Sequence, residues 1–99
     1  MNMKKIRVIA TPPGFAGEHI RQKFVGVEIP LALEAEVKAN PPSPLILNEL
    51  KEGDHIVRRS DAIEALRAAG HYGAADFWRR LGLGHYLLFA KEACQLVET

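Results

Sequence analysis

Along this chain, short runs of alternating polar and apolar residues give way, after Arg59, to helical spacing. Lys5-Ile6-Arg7-Val8 alternates with period two, and Ile9-Ala10 extends it, which predicts a first strand. Thr11-Pro12-Pro13-Gly14 ends that strand, because neither proline can donate a ladder hydrogen bond. Residues 15–23 read as a polar connection. From Phe24 to Val37 the apolar residues Val25, Val27, Ile29, Leu31, Leu33, Ala35 and Val37 share one parity, which predicts a long half-buried strand. Pro30 sits inside this run, so the strand should bend or split there. The competing reading is a helix over Leu31 to Ala39, whose Leu, Ala, Glu and Lys residues are all good helix formers.

Asn40-Pro41-Pro42-Ser43-Pro44 reads as a loop, Leu45-Ile46-Leu47 as a short strand, and Glu52-Gly53-Asp54 as a turn before a strand at His55-Ile56-Val57. Ser60 or Asp61 is expected to cap a helix, with Glu64 completing a capping box. Ile63, Leu66, Gly70, Ala74, Phe77 and Leu81 then fall on a single helical face. Gly70 and Gly73 each weaken a helix by about 1 kcal/mol relative to alanine, so two helices broken near Gly70-His71-Tyr72-Gly73 are preferred to one kinked helix. Asp76 and Arg80 form an i,i+4 ion pair on the outer side, and Gly82 ends the second helix. The chain finishes on Tyr86-Leu87-Leu88-Phe89, a tight corner, and Cys94-Gln95-Leu96-Val97. Those last runs should close the core, with Cys94 and Leu96 facing inward.

Composition narrows the picture without naming a task. Ninety-nine residues make a single domain, residues 1–99, able to bury roughly 60–68% of the surface exposed by the unfolded chain. Hydrophobic residues make up 47% and charged residues 25%, an ordinary globular balance that argues against disorder. A net charge of +1 supplies no global field toward nucleic acid or an anionic membrane. The single cysteine excludes an internal disulfide and fits a reducing compartment, so a cytoplasmic protein is expected. The lysines near the start are not followed by a signal-peptide apolar segment, and no apolar run is long enough to span a bilayer.

A set of segments resembles a family of small uncharacterised bacterial proteins. They are Ile6-Arg7-Val8-Ile9 with Pro12-Pro13-Gly14, Phe24 through Leu31, Asp61 through Leu66, Phe77-Trp78, and Leu88-Phe89 followed by Cys94 through Val97. That resemblance implies no activity and no site. The penultimate strand, one-turn corner and last strand are also similar in arrangement to SH3-like barrels, an architectural likeness that carries no function.

His19, His55, His71 and His85 are too widely spaced for the close ligand pairs of a zinc site, so no metal and no cofactor is expected. Cys94, with its strand parity, reads as a buried inert thiol rather than a nucleophile beside His71 or His85. Lys38-Ala39-Asn40-Pro41-Pro42-Ser43-Pro44 matches a short SH3-ligand pattern that arises readily by chance. Residues 55–91 hold six basic side chains against three acidic ones, and two helices around a glycine turn could present Arg79 and Arg80 to a duplex. A solvated helix face explains the same charges.

The expected fold is therefore α+β: about five mainly antiparallel strands as a curved sheet or small SH3-like barrel, with a two-helix insertion before the last two strands. The expected role is a small non-enzymatic binding or assembly module with an unknown protein partner or self-association, using an edge strand or the helix face around His71, Tyr72, Trp78, Arg79 and Arg80. A nucleic-acid-binding protein using segment 58–80 is the alternative, and a small thiol-dependent enzyme the third.

Overall fold

Alternation at the start of the chain yields the central strand of the larger sheet. β1 (Lys4–Val8) buries Ile6 and Val8 and turns Lys4 and Arg7 to solvent. It pairs antiparallel with β2 (Glu28–Pro30) on one side and β5 (Cys94–Glu98) on the other, so Ile6 lies opposite both Ile29 and Leu96. A second, two-stranded antiparallel sheet joins β3 (His55–Arg58) to β4 (Tyr86–Phe89). The two sheets meet where the Ala32 amide donates to the Ile56 carbonyl at 3.0 Å. The computed structural model describes residues 4–14, 16–81 and 84–98.

The architecture is the expected α+β arrangement, with five strands and a two-helix insertion between β3 and β4. Among the described residues it forms two open sheets, not a closed barrel. β2 is only three residues long and ends at Pro30, so it cannot carry the ladder that closure would require. Segments flanking β2 also depart from expectation. The run from Phe24 to Val37 is not one strand: it is a 3₁₀ turn at Gln22–Phe24, the short β2, and the helix α2 (Glu34–Ala39). Past Ala32 no neighbouring strand continues the pairing among the described residues, and the helix-forming side chains there take over. Leu45 to Leu47 are likewise helical, within α3 (Pro44–Glu49), because Pro44 fits the first turn where its missing N–H costs nothing. The connection after β1 contains a short helix, α1 (Glu18–Arg21), and Arg21 donates to the carbonyls of Pro12 and Ala16, both at 2.7 Å.

The helical insertion comprises α4 (Arg59–Ala68) and α5 (Tyr72–Arg80). α4 begins at Arg59 with no side-chain cap; Asp61 accepts from Arg58 Nε at 2.7 Å instead of closing a capping box. Its inner face places Ala62, Ile63 and Leu66 on the sheets. Between the helices, Gly70 adopts φ +84°, its N–H donating to the Arg67 carbonyl while the His71 N–H reaches the Leu66 carbonyl. This is a Schellman turn, and its left-handed residue is the reason for a glycine there. The expectation that Gly82 ends the second helix lies outside the described residues.

Ile6, Val8, Phe24, Ile29, Val57 and Leu66 form the fully buried centre. Phe24 meets Phe89 edge-on at 5.0 Å and Trp78 at 5.7 Å, tying the turn after α1 to both β4 and α5. Burial of nonpolar rings at such spacing adds edge-to-face attraction to the transfer of apolar area out of water. The radius of gyration is 12.5 Å, about the value for one compact domain of this length.

Candidate binding surface

α5 supplies the surface, and the Schellman turn determines which of its faces points out. Ala75 and Trp78 face the core, with Trp78 only 6% exposed and packed against Phe24 and, edge-on at 5.4 Å, Phe77. Phe77 and Leu81 are half-buried at the side of the helix. With Gly73, Asp76 and Arg80 they line a shallow cleft of about 360 Å³. Gly73 leaves this opening free, since nothing lies within 4 Å of where its Cβ would be. Tyr72, in the first turn, is 69% exposed.

Charge on this face is organised by Asp76. Arg79 donates to one carboxylate oxygen at 2.6 Å and Arg80 Nε to the other at 2.9 Å. The Arg79 hydrogen bond, aided by the charge of Arg80, holds the Asp76 carboxyl below its ordinary range. Two guanidinium groups against one carboxylate leave this face with an excess positive charge. Behind it, Arg59 points a guanidinium at the Trp78 and Arg79 carbonyls, both at 3.4 Å, near the carbonyl-rich end of α5.

The five residues singled out from sequence thus divide. Tyr72, Arg79 and Arg80 stand on the outer face, and His71 is the half-buried residue preceding α5. Trp78 lies in the core and offers its indole to Phe24 and Phe77 rather than to a surface ligand. The cleft adds Gly73, Asp76, Phe77 and Leu81. Of these, Phe77 and Leu81 are expected from helical spacing on the core face, and their i,i+4 spacing is the signal for a shared apolar strip.

Elsewhere the geometry offers little converging chemistry. Cys94 is buried, and that burial, with the Asp54 charge adding to it, pushes its thiol up to about 11, so it is protonated at neutral pH. No group of three or more His, Cys, Asp or Glu side chains gathers as metal ligands among the described residues. The polyproline-like pattern ends in α3, since Pro44 is that helix's first residue. Glu28, bonded by Lys5 at 2.8 Å and by Arg7, belongs to the solvated outer face of the larger sheet. No described helix is long and apolar enough to cross a membrane.

A separate, largely exposed segment runs over residues 32–50, where Pro42 is buried but neither α2 nor α3 has a buried residue and Leu45 is 78% exposed. It is tethered by Tyr86, whose hydroxyl donates to the Asn40 carbonyl at 2.8 Å with the Glu36 carbonyl at 3.3 Å, and by Arg58, 3.6 Å from Glu36. No protein-family model, curated protein or solved structure matches this chain.

Proposed function

We propose that the protein is a non-enzymatic binding module and that the outer face of α5 is where its partner docks. The observation that supports this most directly is the combination of a largely exposed Tyr72, an apolar cleft floored by Phe77 and Leu81, and two arginines beside it. Tyrosine and arginine flanking an apolar pocket is the composition through which protein interfaces concentrate their binding energy. The complementary partner is a protein segment that inserts one apolar side chain into the cleft and carries carboxylates to meet Arg79 and Arg80. The protonated thiol of Cys94 fits a role other than nucleophilic catalysis.

The test is capture of partners from native lysate by the immobilised full chain, run beside Tyr72→Ala and Arg80→Glu. A specific partner should be retained by the wild type and weakened by about tenfold or more in each variant, as expected for residues at the centre of an interface. Failure to retain any specific protein, or retention that both substitutions leave unchanged, counts against this reading.

A further inference from the structure

We propose that β5 is a self-pairing edge, through which two copies of the chain join antiparallel about a two-fold axis at Leu96. This surface is distinct from the α5 face and does not depend on it.

Strand ends of the two sheets are treated differently. β2 ends on Pro30, which has no N–H, and the chain just beyond it is engaged by the Ala32–Ile56 bond. β4 is almost wholly buried, with Tyr86, Leu87 and Phe89 all covered. β5 lies at the end of its sheet, with Gln95, Leu96 and Glu98 exposed. It contains no proline, glycine or lysine, the devices by which edges usually block further pairing.

Hydrogen-bond direction along β1 shows which groups of β5 remain available. Lys4 accepts from the Leu31 amide and Val8 donates to the Val27 carbonyl, so the even-numbered residues of β1 bond toward β2. The odd-numbered residues face β5, where Lys5 lies opposite Val97 and Arg7 opposite Gln95. Gln95 and Val97 therefore bond to β1, and the amides of Leu96 and Glu98 and the carbonyls of Cys94, Leu96 and Glu98 point off the edge, while the Cys94 amide is held by the Lys91 carbonyl of the preceding 3₁₀ turn, Lys91–Ala93. The Cys94 carbonyl and the Glu98 amide lie two residues to either side of Leu96. Antiparallel pairing with a second copy places Leu96 opposite its counterpart and Cys94 opposite the other copy's Glu98: the two Leu96 residues exchange amide–carbonyl bonds, each Glu98 amide meets a Cys94 carbonyl, and every outward amide is satisfied without a shift of register.

Side chains favour the same occupant. Leu96 shares the inner-face row of Ile29 and Ile6, both fully buried, yet is itself 49% exposed. The row stops one residue short of cover, and a second Leu96 completes it as a continuous apolar strip. Glu98 is the only charged residue in the strand and already has Lys4 at 4.0 Å. Two-fold pairing sets it across from a cysteine rather than from another glutamate, so no like charges meet. A foreign strand would have to reproduce this pattern, which a second copy already carries. An edge of this length buries less than the roughly 1,200–2,000 Å² typical of stable complexes, so the dimer should assemble only at about 0.1–1 mM protein.

Sedimentation of the full chain from about 10 μM to 1 mM, with hydrogen exchange at both ends of that range, tests the proposal. The mass should rise from monomer to dimer, and the Leu96 and Glu98 amides should become several-fold more protected at high concentration. Gln95 and Val97, already bonded to β1, should not change. Leu96→Lys should stay monomeric with the wild-type melting temperature, and Leu96→Ile should dimerise as the wild type does. A monomer at 1 mM, a dimer that leaves the Leu96 and Glu98 amides unchanged, or one indifferent to Leu96→Lys would overturn self-pairing. Protection of those amides only after a foreign strand-forming peptide is added would overturn it in favour of a different partner.

Discussion

Replacing Phe24 with alanine should cost more stability than its position in a short turn suggests. Its ring is 1% exposed and touches Phe89 and Trp78, so it joins three parts of the chain that are distant in sequence. Truncating a buried phenylalanine removes its transfer free energy and leaves a cavity, together about 3–5 kcal/mol. For 99 residues the unfolding entropy is about 0.2 kcal/mol/K, so the melting temperature should fall by roughly 15–25 °C. Thermal and urea unfolding followed by circular dichroism measure the loss, with Leu45→Ala, at an exposed leucine, as a control that should shift stability by less than about 0.5 kcal/mol. The urea m-value should stay unchanged if only the native packing is affected. A drop below about 5 °C for Phe24→Ala, or an equal loss in the control, would mean that the aromatic cluster is not what makes unfolding cooperative.

Two glycines three residues apart should respond with opposite signs. Gly70→Ala forces a side chain onto a φ of +84° in open space, so it should destabilise by about 1 kcal/mol through backbone strain alone, whereas Gly73→Ala, inside α5 and equally unobstructed, should stabilise by about 0.5–1 kcal/mol in the same melting experiments. For Cys94, the folded-state value is raised above the unfolded one, so the neutral thiol is favoured by folding. Its contribution is fully present below the unfolded value of about 9 and is lost as pH rises toward 11. Urea unfolding at stepped pH should therefore show wild-type stability falling more steeply between pH 9 and 11 than that of Cys94→Ala; parallel curves would remove the buried thiol as the cause.

Much of the fold was legible because several elements are specified locally. β1 announces itself by alternation bounded by Pro12 and Pro13, and the placement of two helices before the final strand pair follows from a change of period after Arg59. The stretch from Leu31 to Leu50 was not legible, since its alternation coincides with good helix formers and only a partner strand could have decided between them. That partner contributes a single main-chain bond at Ala32. Phe24 was missed as an anchor for a related reason: its neighbours Phe89 and Trp78 lie more than fifty residues away in sequence, beyond any periodic pattern.

The partial legibility of the α5 surface has a more specific origin. Extending one helical face from Ile63 through Gly70 to Leu81 assumes that the helix keeps its phase, and the left-handed Gly70 resets it. After that turn, Ala75 and Trp78 face the core, while Phe77 and Leu81 rotate partly outward. An unbroken phase therefore puts Phe77 and Leu81 inside, whereas they border the cleft, and Trp78, expected in the binding group with Tyr72 and Arg79, lies in the core. The same change of phase that displaced the prediction leaves an apolar floor beside Arg79 and Arg80. A continuous helix through residue 70 would place Phe77 and Leu81 in the core, so the glycine that breaks the helix is also what makes the cleft.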